Sequence, residues 1–118
     1  QLISPIDFSS QVLFREWKLG EVERELTIMK VLIHGYENGH QKTIEYNLLD
    51  RYDNETKISS MSRTTGYTCT ASANLIASGL FRERGVFPPE LVGKNEACFN
   101  YVMRYLAERK VQWHKKTY

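Results

Sequence analysis

At 118 residues and 13.8 kDa the chain has the length of one domain, and 42% hydrophobic with 12% aromatic residues is enough to bury a core. Lys and Arg number 16 against 14 Asp and Glu, so a net charge of only +2 argues against nucleic acid or an anionic membrane as a partner. Apolar stretches of a few residues fall far short of the roughly 20 that span a bilayer, and no basic-then-apolar leader opens the chain. A soluble protein is expected. The two cysteines, Cys69 and Cys98, lie far apart without metal-ligand spacing and read as small buried hydrophobes, which points to a reducing, cytoplasmic setting.

The opening Gln1-Leu2-Ile3-Ser4-Pro5 has no initiator methionine and suggests a domain excised from a longer chain. Phe8, Val12, Leu13 and Trp17 recur at helical spacing, which predicts a helix over residues 7–19 with Asp7 as cap and Gly20 as stop. Residues 25–34 are apolar on both parities, so this strand should be central or covered on both faces. Asn38-Gly39 accepts positive φ, and Ile44, Tyr46 and Leu48 then alternate with polar residues, which predicts a β-hairpin. After the polar turn at residues 51–56, 15 of the 21 residues from Ser59 to Gly79 are Ser, Thr, Gly, Ala or Cys. Such a helix lets another backbone or a ligand approach closely.

Residues 80–93 read as a loop, extended from Gly85 to Glu90 because each proline drives its predecessor out of the α region. Asn95 caps a second clear helix, to about Lys110, with Cys98, Tyr101, Val102, Tyr105 and Leu106 facing the core. Residues 111–114 form a short edge strand blunted by Lys115 and Lys116. The order contains no strand–helix–strand alternation, so residues 1–118 read as a single α+β domain, an antiparallel or mixed sheet with helices packed on one face.

No self-sufficient catalytic motif is present: neither GxSxG, HExxH, a phosphate loop nor GxGxxG occurs. His34, His40 and His114 read as surface or strand-end residues, and Asp50 and Asp53 as turn formers. Ser59-Ser60-Met61-Ser62-Arg63-Thr64-Thr65-Gly66-Tyr67 is the unusual segment. It gathers hydroxyls, a guanidinium and a glycine at a helix start, where free N–H groups favour an anion. Equally, Ser59 or Ser60 is an N-cap and Arg63 makes an intramolecular ion pair, and composition leaves both readings open.

Met61-Ser62-Arg63-Thr64-Thr65-Gly66-Tyr67, Gly79 and Gly85-Val86-Phe87-Pro88-Pro89-Glu90 together resemble the C-terminal domain of the saccharopine dehydrogenase family. Trp17-Lys18-Leu19, the Gly20-Glu21 pair, the strand at Thr27-Ile28-Met29-Lys30-Val31 and the turn Leu49-Asp50-Arg51-Tyr52-Asp53 extend the likeness in order. The resemblance implies the substrate-binding and dimerisation domain of an oxidoreductase whose Rossmann domain, absent from this chain, binds NAD or NADP. Family members act by hydride transfer on a C–N bond of saccharopine, lysine or carboxyspermidine. By resemblance Arg63 would hold a substrate carboxylate, with Ser60 or Thr64 adding hydrogen bonds, while the catalytic residues stay unassigned. Arg63-Thr64-Thr65 is nearer to a bacterial, lysine-dehydrogenase-like branch than to the Lys-Leu-Val of fungal reductases. A homodimer is expected, and the rival reading is a free-standing interaction or ligand-sensing module without catalysis. A strand–GxGxxG–helix unit upstream of Gln1 would separate the two.

Overall fold

A computed structural model describes residues 3–20 and 23–118; Gln1-Leu2 and Glu21 of the Gly-Glu pair lie outside the described residues. The elements in order are α1 (Pro5–Trp17), β1 (Leu26–Glu37), β2 (His40–Arg51), α2 (Ser60–Ala77), α3 (Pro89–Gly93), α4 (Glu96–Glu108) and β3 (Trp113–Thr117). The strands form an antiparallel three-stranded sheet in the order β1-β2-β3, and α2 and α4 pack together on one side of it, an α+β fold.

The hairpin is built as the turn residues dictate. Asn38 at φ 54° and Gly39 at φ 80° join Glu37 to its register partner His40, the backbone of a tight two-residue turn. Register then assigns the faces. Thr27, Met29, Val31 and Ile33 stand opposite Asp50, Leu48, Tyr46 and Ile44, and this face meets the helices. Leu48 packs there with Leu106 and Val111, flanked by Tyr67, Val102 and Trp113. Ile28, Lys30, Leu32, Glu45, Asn47 and Leu49 form the other face, where Lys30 lies 3.0 Å from Glu45 and Asn47 Nδ2 donates to the same carboxylate.

The helix ends follow their signals. Ser59 Oγ accepts from Ser62 N at the start of α2, and Asn95 Oδ1 accepts from Ala97 and Cys98 N–H at the start of α4. Gly79 at φ 72° closes α2 with its N–H on Ile76 O and Leu80 N–H on Leu75 O. Lys110, at φ 64°, does the same for α4 without the glycine usual at that position, and so turns Val111 into the core.

Six expectations change. Helix α1 ends at Trp17 with Lys18 as its C-cap, short of Gly20, and β3 covers Trp113–Thr117, so that Lys115 and Lys116 lie inside the strand. The strand expected to be central or doubly covered, β1, is an edge strand with Ile28, Met29, Val31, Leu32 and Ile33 exposed, because β2 is the middle strand and α2 meets β1 at Thr27, through the Ser60 hydrogen bond, without covering these residues. Ser4, not Asp7, occupies the cap position of α1, without a side-chain bond, and Asp7 lies in its first turn. The segment expected to be extended to Glu90 is so only to Pro88, since a proline fits the first turn of a helix and Pro89 opens α3. Cys98 is buried as expected, but Cys69 is exposed, on the outer side of α2.

Candidate functional site

Arg63 projects from the first turn of α2 into the interior, with 5% of the residue exposed. Its Nη1 donates to Asp53 Oδ2 at 2.9 Å, and its Nη2 lies 3.3 Å from Asp50 Oδ1 and donates to the Arg109 carbonyl at 3.1 Å. The guanidinium thus joins the end of β2, the turn after it and the C-terminal end of α4, whose last carbonyls attract a cation. Asp53 works in two directions: its Oδ1 accepts from Glu55 N–H, which, ahead of the nearby Arg63 charge, holds its carboxyl below the usual range. Three buried polar atoms in this cluster, Asp50 Oδ2, Tyr52 OH and Arg63 Nε, have no partner among the described residues.

The start of α2 does receive a carboxylate, but one from the same chain. Glu25 Oε1 accepts from Met61 N–H at 3.2 Å, and Ser59 serves Ser62, so the donors expected to draw a ligand are engaged. Ser60, fully buried, donates to Thr27 Oγ1, and Thr64 donates to the Ser60 carbonyl. The three residues expected to hold a substrate carboxylate are brought together, and each is committed to a neighbour inside the domain. Leu49-Asp50-Arg51-Tyr52-Asp53 supplies the acids for Arg63, and Glu55 pairs with Lys110, whose ammonium pKa it raises.

The concave surface lies further along α2. A cavity of about 400 Å³ is walled by Thr68, Ser72, Leu75 and Ile76 of α2, by Phe81, Glu83 and Phe87 of the connection, and by Cys98 and Val102 of α4. Residues with short side chains at 68 and 72, one turn apart, and Gly85 at φ 133° keep it open. Thr68 Oγ1 donates to the Thr64 carbonyl and Ser72 Oγ to the Thr68 carbonyl, so both hydroxyls turn their lone pairs to the outside. Glu83 is the one charged side chain in the lining and has no ion-pair partner among the described residues. The wall accepts hydrogen bonds and offers few. Sequence reasoning passed over Glu83; the signal was the i, i+4 spacing of Thr68 and Ser72 beside a glycine-containing connection.

Among the described residues no strand–glycine turn–helix unit of the kind that cradles a dinucleotide occurs. The described strands are antiparallel, and the helical Gly66 and Gly93 face open space rather than a tight cradle. Fold and cavity therefore define an α+β domain with a ligand-sized pocket. The sequence model of the saccharopine dehydrogenase C-terminal domain matches residues 1–111, and the chain belongs to that family. No solved structure matches the chain. Among the described residues no helix is long and apolar enough to cross a membrane.

Proposed function

We propose that this chain is the substrate-binding and dimerisation domain of an NAD(P)-dependent oxidoreductase acting on a C–N bond of a lysine-derived amino acid. Membership of the saccharopine dehydrogenase family supports the oxidoreductase reading over a free-standing module, and the dinucleotide is then bound by another part of the enzyme. The observation that carries the substrate class is the acceptor-rich cavity: an apolar trough with Glu83 on its wall suits an alkyl chain that bears an ammonium group. Arg63, Ser60 and Thr64 serve this site by fixing α2 against β1 and α4, and the substrate carboxylate is held outside their cluster. The uncovered apolar residues of β1 and α1 support the dimerisation role.

The test is steady-state kinetics of the intact enzyme with NAD or NADP and a panel of lysine, saccharopine and carboxylated polyamine substrates. Glu83→Gln is expected to raise KM for the productive amine roughly ten-fold or more, because a charge-assisted hydrogen bond becomes a neutral one. KM for the dinucleotide and the melting temperature should stay as they are. An unchanged amine KM removes Glu83 from the site, and failure of the whole panel to reduce the dinucleotide overturns the substrate class.

A further inference from the structure

We propose that α1 is an exchanged arm, which docks on the helix-side face of β1 in a second copy of this chain. The inference rests on the dimerisation role proposed above and specifies how it is built. Two surfaces lack cover. Helix α1 has no buried residue, and its Phe8, Val12, Leu13 and Trp17 spread over about half of the helix circumference at 100° per residue. On β1, Met29, Val31 and Ile33 form a row without a charge, backed across the hairpin by Ile44 and Tyr46 and following on from Thr27, where Ser60 at the start of α2 meets the strand.

The two surfaces match in size. Thirteen helical residues are about 20 Å long, and the strand from Thr27 to Ile33 runs about 23 Å. The chain is also more drawn out than a compact body of its length. Its radius of gyration is 18.5 Å with a longest extent of 60 Å, against roughly 13.5 Å expected for a globule of this many residues. An arm held clear of its own sheet, in a chain whose β1 keeps an uncovered apolar row, is the arrangement in which a two-fold pair satisfies both deficits at once. Two aromatic and two aliphatic side chains from each arm, with the sheet surface they cover, take the buried total past the roughly 1,000 Å² that a specific interface needs.

The experiment uses the intact protein with Cys69→Ser, to remove the exposed native thiol. Copies with one tag carry Val12→Cys and copies with a second tag carry Val31→Cys, and both are co-expressed and oxidised. A disulfide that joins the two tags is the expected result. A chain carrying both substitutions that closes on itself overturns the exchange. Absence of any cross-link in a protein that light scattering finds dimeric also overturns it, and leaves the dimerisation role standing. A monomer at all concentrations removes both, while the substrate kinetics above stay independent of either. As a second measurement, Phe8→Ser with Trp17→Ser should weaken the dimer at least ten-fold, and because α1 buries nothing in its own chain this variant keeps its fold. An unweakened dimer counts against the arm.

Discussion

Arg63→Ala separates a guanidinium that binds ligand from one that binds the fold. In the structure the side chain of Arg63 is 6% exposed and that of Asp50 is 5% exposed, at 3.3 Å. Removing the cation leaves the Asp50 carboxylate in the interior, with Oδ2 already unpartnered, and strips the Arg109 carbonyl at the end of α4 of its donor. Breaking a buried pair from one side typically costs about 3–5 kcal/mol. For a chain of this size that lowers the melting temperature by on the order of 10–20 °C. Asp50→Asn in the same molecule should restore part of the loss, because the orphaned charge is gone. Thermal and urea unfolding of the intact protein measure the effect, with kinetics run on the fraction that remains folded. A melting temperature unmoved within a degree or two, together with a KM for the carboxylate-bearing substrate raised ten- to hundred-fold, would refute the clamp and return Arg63 to the ligand.

Other outcomes follow from single contacts. Asp53 has a folded-state pKa below its ordinary value of 3.8, chiefly through the Glu55 N–H, so its contribution is complete above that value and is lost as the pH falls through the lowered one. Acid unfolding followed by circular dichroism should accordingly lose part of its steepness in Asp53→Asn, and an identical acid limb would deny the linkage. Gly66→Ala and Gly79→Ala should have opposite signs. Gly66 is inside α2 with nothing within 4 Å of a new Cβ, so alanine there stabilises by about 0.5–1 kcal/mol, whereas Gly79 at φ 72° loses about 1–2 kcal/mol. Equal signs in urea titrations would mean that the backbone argument fails. The isolated chain should form no NAD(P)H with any amine, and measurable reduction by the purified domain would contradict a nucleotide site located elsewhere.

How far these features were legible in the sequence depended on whether their cause was local. Asn38-Gly39 and Gly79 act through their own backbone, Ser59 and Asn95 through side chains that reach N–H groups two or three residues on, and the hairpin and helix ends appear where those residues stand. Edge or centre is a property of the neighbours, so the apolarity of β1 on both parities could not distinguish a covered strand from one awaiting cover. The same limit applied to Arg63. Its residue type and its place at a helix start suit an anion, but the identity of that anion is set by Asp50 and Asp53, ten or more positions away. The acids were visible as a Leu-Asp-x-x-Asp turn; their distance from Arg63 was not.

The polar composition of α2 takes its meaning from this geometry. Thr64, Thr68, Thr70 and Ser72 each donate to a carbonyl four residues back, and Ser60 donates to Thr27, so this hydroxyl-rich helix has few donors left for a ligand. Its oxygens keep their lone pairs. With N-terminal N–H groups taken by Glu25 and Ser59, and the guanidinium by two aspartates, the helix start has few free donors for the carboxylate end of an amino acid. It welcomes a donor instead. On the proposed function the amine end of the substrate lies against Thr68, Ser72 and Glu83, and the carboxylate against groups outside this helix. That polarity is open to measurement, since α-amides of the substrate should lose no affinity for the cavity, while N-acylation of its terminal amine should abolish binding.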